Sequence, residues 1–153
     1  MILSLPIIAR LDPATLKGLS ELEFQAAVTR HAEGNGWRVQ SFRKSAAPGK
    51  DGTWRGLGNP GWPDVIAVKI HRDGQATMLA AELKSMTGYA TPEQKEWVAI
   101  LNCVTGIVAA VWRPSDAVTI LKLLNGGPDI IMEWKSSVNI AGERSRRGLA
   151  TRP

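Results

Sequence analysis

GWPDVIAV, residues Gly61 to Val68, and AAELK, residues Ala80 to Lys84, decide how the rest of this chain is read. Each is an apolar run with charge at one end: Asp64 opens the first, and Glu82 and Lys84 close the second. The runs VIAV and MLAA have the composition of strands that are otherwise buried. Between them, HRDGQ carries the Asp73-Gly74 turn signal of a hairpin. Centring the turn near Asp73 and Gly74 puts Asp64 opposite Leu83. An ionised carboxylate at the mouth of such a core is costly unless a cation or hydrogen-bond donors compensate it.

Side chains alternate along a strand, so Glu82 and Lys84 point to one face and Leu83 to the other, with Asp64 beside them in the hairpin. Two carboxylates and an ammonium then converge at the end of two central strands, the pattern of a metal site at a sheet edge. A lone Pro-Asp or Glu-x-Lys would read as a surface salt bridge; their joint occurrence on paired strands argues otherwise. Oxygen-only ligands favour Mg²⁺ or Mn²⁺, bound by Asp64 and Glu82 with the Leu83 carbonyl as a further ligand. Lys84 would orient a water or offset charge developing on phosphate oxygens.

Working outward, SELEFQAAVTRHAEGNG reads as a helix capped by Ser20 and closed near Gly34 to Gly36, with Phe24, Ala27, Val28 and His31 on one face. WRVQSFR supplies a first strand. Residues 44–62, KSAAPGKDGTWRGLGNPGW, are rich in Gly, Pro and positive charge, a long functional loop suited to gripping a phosphate chain. TPEQKEWVAILNCVTG opens with a Thr91–Gln94 capping box and is ended by Gly106, and IVAAVW follows as a fourth strand in a parallel addition. SDAVTILKLLNGG is a third helix, capped by Ser115 and stopped by two glycines. The divisions are an N-terminal arm at 1–19, a domain at 20–127, and a C-terminal extension at 128–153 ending in the basic tail GERSRRGLATRP.

With 153 residues, 44% of them hydrophobic, the chain is long enough for one domain with a real core. Nineteen Lys and Arg against fourteen Asp and Glu give a net charge of +5, which favours a polyanionic partner. The single Cys103 excludes an intrachain disulfide and a Cys-based zinc cluster, suits a reducing cytoplasmic compartment, and reads as a small buried hydrophobe. The start, MILSLPIIARLDP, is broken by Pro6, Arg10 and Pro13, so neither a membrane span nor a signal peptide is expected there. Of the six tryptophans, Trp37, Trp97 and Trp112 are expected in the core, whereas Trp54 and Trp62 sit in the basic loop where they could stack on bases. Lys50, Arg55, Arg144, Arg146 and Arg147 suit phosphate contact better than sequence readout.

Pro63-Asp64 followed by Glu82-Leu83-Lys84 in a hairpin, with a helix bearing Glu21 before and a helix and strand after, resembles the PD-(D/E)XK nuclease superfamily. GWPDVIAV, ELKS, TPEQKEW and VWRPSD are similar, more narrowly, to its VRR-NUC family and to archaeal Holliday junction resolvases. The resemblance covers Ser20 to Leu124 and rests on four short motifs in order. It implies an α/β, restriction-endonuclease-like fold: a central mixed four-stranded sheet flanked by helices, with an αβββαβ core. It also implies Mg²⁺- or Mn²⁺-dependent hydrolysis of DNA, selective for branched or junction DNA, by a homodimer of phage or prophage type. A repair nickase, an exonuclease and a non-catalytic DNA-binding module on the same fold stay open as alternatives. The family's first-helix glutamate falls on Glu21 or Glu23; helical spacing, which puts Glu21 on the face of Phe24 and Val28, favours Glu21. Gln94 matches the family's glutamine, and Arg43 a basic residue that holds the scissile phosphate. Arg43, Lys44, Lys50, Trp54 and Arg55 form the expected DNA-binding set.

Overall fold

Four strands make the central sheet, in the order β1 (Arg38–Ser41), β4 (Val65–Ile70), β5 (Ala76–Leu83), β6 (Ile107–Trp112). β1 and β5 run antiparallel to β4, and β6 runs parallel to β5. The computed structural model describes residues 13–42, 46–48, 54–56, 59–127 and 129–134. Before the sheet come α1 (Pro13–Lys17) and α2 (Glu21–Gly34); β2 (Ala46–Pro48) and β3 (Trp54–Gly56) form a separate antiparallel pair; α3 (Pro92–Asn102) joins β5 to β6. A 3-10 turn over Pro114–Asp116 leads into α4 (Ala117–Asn125), and residues 129–134 are again helical. The chain is thus α/β, with an open, mixed, four-stranded sheet flanked by helices.

Alternation along the strands divides the core. Val65, Ala67, Leu79, Ala81, Leu83, Val108 and Trp112 pack on one face with Phe24 and Val28 of α2 and Ile120, Leu123 and Leu124 of α4. Leu16 of α1 and Ile131 are buried in the same cluster, so both flanking segments contribute to it. The other face, with Ala80 and Ala109, is covered by Leu101 and the partly buried Trp97 and Val98 of α3. β5 is buried from Leu79 to Leu83, as a strand covered on both faces must be. His31 is also buried and ties α2 to α4, its Nε2 lying 2.8 Å from Asn125 Oδ1.

The hairpin forms at the expected turn, but the register differs by one residue. Ile70 pairs with Ala76 and Val65 with Ala81, leaving a five-residue loop from His71 to Gln75. Gly74 N–H donates to the His71 carbonyl at 2.9 Å, and the positive φ of 81° at Gly74 is one that a side chain would disfavour. Continuing the ladder one rung sets Asp64 opposite Glu82, not Leu83. The correction matters because directly opposed residues share a face, and a slip of one would have sent Asp64 to the Leu83 side.

Other expectations also change. Within 44–62, residues 46–48 and 54–56 pair as a hairpin instead of forming one uninterrupted loop. Cys103 is exposed, because α3 ends at Asn102 and Cys103 is its C-cap; its Sγ lies 3.4 Å from the Ala99 carbonyl. Ser115 does not cap α4; it sits within the 3-10 turn, where the Asp116 carboxylate accepts from Arg113 N–H at 2.8 Å. Asn102 folds back on β6, accepting from Ala109 N–H at 2.9 Å and donating to the Ala109 carbonyl at 2.8 Å. Among the described residues no helix is long and apolar enough to cross a membrane.

Candidate functional site

Asp64, Glu82, Lys84 and Gln94 are the buried polar residues at the start of β4, the end of β5 and the start of α3, each no more than 4% exposed. Three elements meet there for local reasons. The apolar runs on either side of the turn bury β4 and β5, and the capping box fixes where α3 begins: Gln94 N–H donates to Thr91 Oγ1 at 3.3 Å, and Thr91 N–H to Gln94 Oε1 at 2.8 Å. The amide nitrogen of Gln94, left over from the cap, donates to Glu82 Oε1. Lys84 Nζ donates to the same oxygen at 2.5 Å and lies 3.6 Å from Glu21 Oε2.

On the neighbouring strand, Asp64 Oδ2 accepts from Leu83 N–H at 2.9 Å. Even-numbered β5 residues turn their main-chain groups toward β6, as when Lys84 N–H donates to the Trp112 carbonyl at 2.9 Å. Odd-numbered ones therefore face β4, and the Leu83 carbonyl lies on the same side as the N–H that Asp64 receives. The Leu83 side chain is fully buried on the opposite sheet face. Asp64 thus accepts from one main-chain N–H, and Glu82 Oε1 from an amide and an ammonium, which offsets part of the cost of burying them, while Glu82 Oε2 is buried with no hydrogen-bond donor among the described residues.

The two glutamates of α2 separate cleanly. Glu23 closes a capping box on Ser20, accepting from Ser20 N–H at 2.8 Å and from the Ser20 hydroxyl at 2.7 Å. That hydroxyl, and then the Ser20 N–H, hold the Glu23 carboxyl below its ordinary 4.5. Glu21 faces Lys84, with its side chain 40% exposed at the rim. The fold therefore brings Glu21, Asp64, Glu82, Lys84 and Gln94 to one place.

Trp54 and Arg55 lie on the separate β2–β3 pair, opposite Pro48 and Ala47, while Arg43, Lys44 and Lys50 fall outside the described residues, as do Arg144, Arg146 and Arg147. Trp62 is half-buried, its ring edge-on to Phe42 at 6.3 Å and to Trp97 at 4.9 Å, so its main partners are protein rings.

Sequence reasoning missed the contact that ties the Asp64 loop to α3. At Gly61 φ is +83°, and a Cβ there would lie 2.5 Å from the Glu93 carbonyl carbon and 2.7 Å from Gln94 N. Trp97 Nε1 donates to the Pro60 carbonyl at 3.1 Å and reinforces the same join. The Pro60-Gly61 pair signals a turn, but nothing local announces that the turn presses on a helix end.

An oxygen-binding cation fits this donor set in kind: two carboxylates and one main-chain carbonyl on adjoining rungs. Among the described residues no group of three or more His, Cys, Asp or Glu is placed to hold a metal. Two carboxylates are enough only for an ion that keeps waters or takes substrate oxygens in its other positions, as Mg²⁺ does. No protein-family model, curated protein or solved structure matches this chain.

Proposed function

We propose that this protein is a metal-dependent nuclease of the PD-(D/E)XK kind, with a restriction-endonuclease-like core and motifs resembling VRR-NUC proteins. The observation that carries the reading is the burial of Asp64, Glu82, Lys84 and Gln94 together where β4 begins and β5 ends. A structural salt bridge needs neither the second carboxylate nor the amide, and buried charge is seldom retained for stability alone. Asp64, Glu82 and the Leu83 carbonyl would hold Mg²⁺ or Mn²⁺. When bound, the ion supplies Lewis-acid polarisation of a phosphate and acidification of a water.

The chain's own residues have separable tasks. Lys84 places a positive charge where negative charge builds on phosphate oxygens, with Glu82 and Glu21 fixing its ammonium. Gln94 orients the Glu82 carboxylate. The net charge of +5, with Arg43, Lys44, Lys50, Trp54 and Arg55 on or beside the β2–β3 segment, suits a long polyanion, and DNA is the substrate the motifs favour. Selectivity for branched DNA, paired cuts by a homodimer and a cytoplasmic, phage or prophage setting follow from the resemblance.

The test is a panel of labelled duplex, flap, single-stranded and four-way-junction DNAs incubated with Mg²⁺, Mn²⁺ or EDTA. Cleavage that needs the divalent ion and is strongest on branched substrates is expected. Binding without cleavage under every metal condition would instead identify a non-catalytic DNA-binding module.

A further inference from the structure

Tyr89 is 89% exposed, the most exposed large side chain among the described hydrophobic residues and the chain's one tyrosine. It sits in the link from Lys84 to the Thr91 cap, five positions from each of the buried site residues Lys84 and Gln94. The segment that carries it is anchored. Gly88 N–H donates to the Ser85 carbonyl at 3.2 Å, and the Gly88 carbonyl accepts from Arg113 Nη2 at 2.9 Å. Gly88 also lies against the lysine stem, since a Cβ there would be 3.4 Å from Lys84 Cβ and Cδ. The ring is therefore held out into water by a backbone fastened to the site, whereas Phe42 and Trp62 are packed against one another.

We propose that Tyr89 is a stacking platform for a nucleobase beside the phosphate that Lys84 faces. This rests on the nuclease reading and adds a substrate contact to it. The ring can stack on the planar face of any base, and phosphate and base are neighbours in every nucleotide; a hydroxyl contact to phosphate instead would be lost in Tyr89→Phe, which keeps the ring. Such a contact tolerates sequence and prefers an unpaired or splayed base, as found at flaps and branch points.

Binding of an oligonucleotide carrying 2-aminopurine next to the cleavage position should be measured for the wild type, Tyr89→Ala, Tyr89→Leu and Tyr89→Phe, with Ca²⁺ replacing Mg²⁺ to slow cleavage. The wild type and Tyr89→Phe should quench the probe. Tyr89→Ala and Tyr89→Leu should lose the quench and bind roughly five- to a hundredfold more weakly. All four should melt at the same temperature and keep the same dependence of log affinity on log salt, because no phosphate contact is removed. Wild-type cleavage with unchanged binding and quenching in Tyr89→Ala would overturn the platform alone, as would equal losses in Tyr89→Phe and Tyr89→Ala. A wild type that neither binds nor cuts DNA would overturn the platform together with the nuclease reading.

Discussion

The N-termini of α2 and α3 are built alike and used differently. Ser20–Glu23 and Thr91–Gln94 are both capping boxes with the same pair of distances, 2.8 and 3.3 Å, and N-cap ψ values of 162° in each. Glu23 is exposed and only its Oε2 serves the cap, with no site residue beyond it, whereas Gln94 is buried and its second amide atom reaches Glu82. The cap needs only an oxygen acceptor at the third helical position, which glutamate and glutamine supply equally well. What lies beyond the cap decides between them. Facing Glu82, a glutamine donates a hydrogen bond where a glutamate would set two carboxylates together.

The largest effect is expected at Glu82, which only the second box reaches, and at the charged residues beside it. Glu82→Gln, Asp64→Asn and Lys84→Ala should each lose on the order of a hundredfold or more in cleavage, about 3 kcal/mol of transition-state stabilisation, while gel-shift binding of the same preparations persists. Near-wild-type cleavage by Asp64→Asn would break the assignment. Exchanging the third residues sharpens the contrast: Gln94→Glu should destabilise by about 2 to 3 kcal/mol in urea unfolding, since a buried donor becomes a like charge. Glu23→Gln should stay near the wild type at neutral pH.

Gly61→Ala should cost about 1 to 3 kcal/mol, because the new methyl would overlap the Glu93–Gln94 backbone. Gly18→Ala, two residues ahead of the other cap, meets nothing nearer than 3.6 Å and should move the midpoint far less. Ser20→Ala should cost about 1 kcal/mol, an ordinary N-cap loss. The smallest effect separates the boxes by pH. The Glu23 carboxyl lies below its ordinary 4.5 in the folded state, so its stabilising contribution is complete above the unfolded value and is lost as pH falls through the folded one. The Thr91–Gln94 pair itself does not titrate, but Glu93 between them does, its carboxyl held below 4.5 by its own N–H and then by the Thr91 hydroxyl. An acid series of unfolding midpoints should therefore become shallower in Glu23→Gln by the share that the first box contributes, and keep the rest.

Much of this was legible in the residues themselves. Ser20, Thr91 and Gln94 announce helix starts, Asp73-Gly74 announces a turn, and alternation puts Glu82 and Lys84 on one face, because each signal acts over a few residues. The register was not legible: Asp73-Gly74 locates the turn without saying whether its loop holds an odd or even number of residues, and that parity decides which residue faces Asp64. The exposure of Cys103 depended on where α3 stops, and its AILNCVTG setting suits a longer helix equally well. The docking of Trp62 on Trp97, and of Gly61 under Glu93, joins segments some thirty residues apart in sequence. No local pattern encodes such a meeting.

The Asn102 carboxamide has a consequence for how molecules of this protein meet one another. Outer strands expose main-chain donors and acceptors that can template further strands. On β6 those groups at Ala109 are already held by Asn102, while Ile107 N–H is held by the Val104 carbonyl at 3.3 Å and Arg113 N–H by the Asp116 carboxylate. In the vocabulary of crystal growth this margin is passivated at three of its sites, Ile107, Ala109 and Arg113: an incoming strand must displace existing bonds there before it makes its own, so one side chain and two turns raise the cost of fibrillar addition.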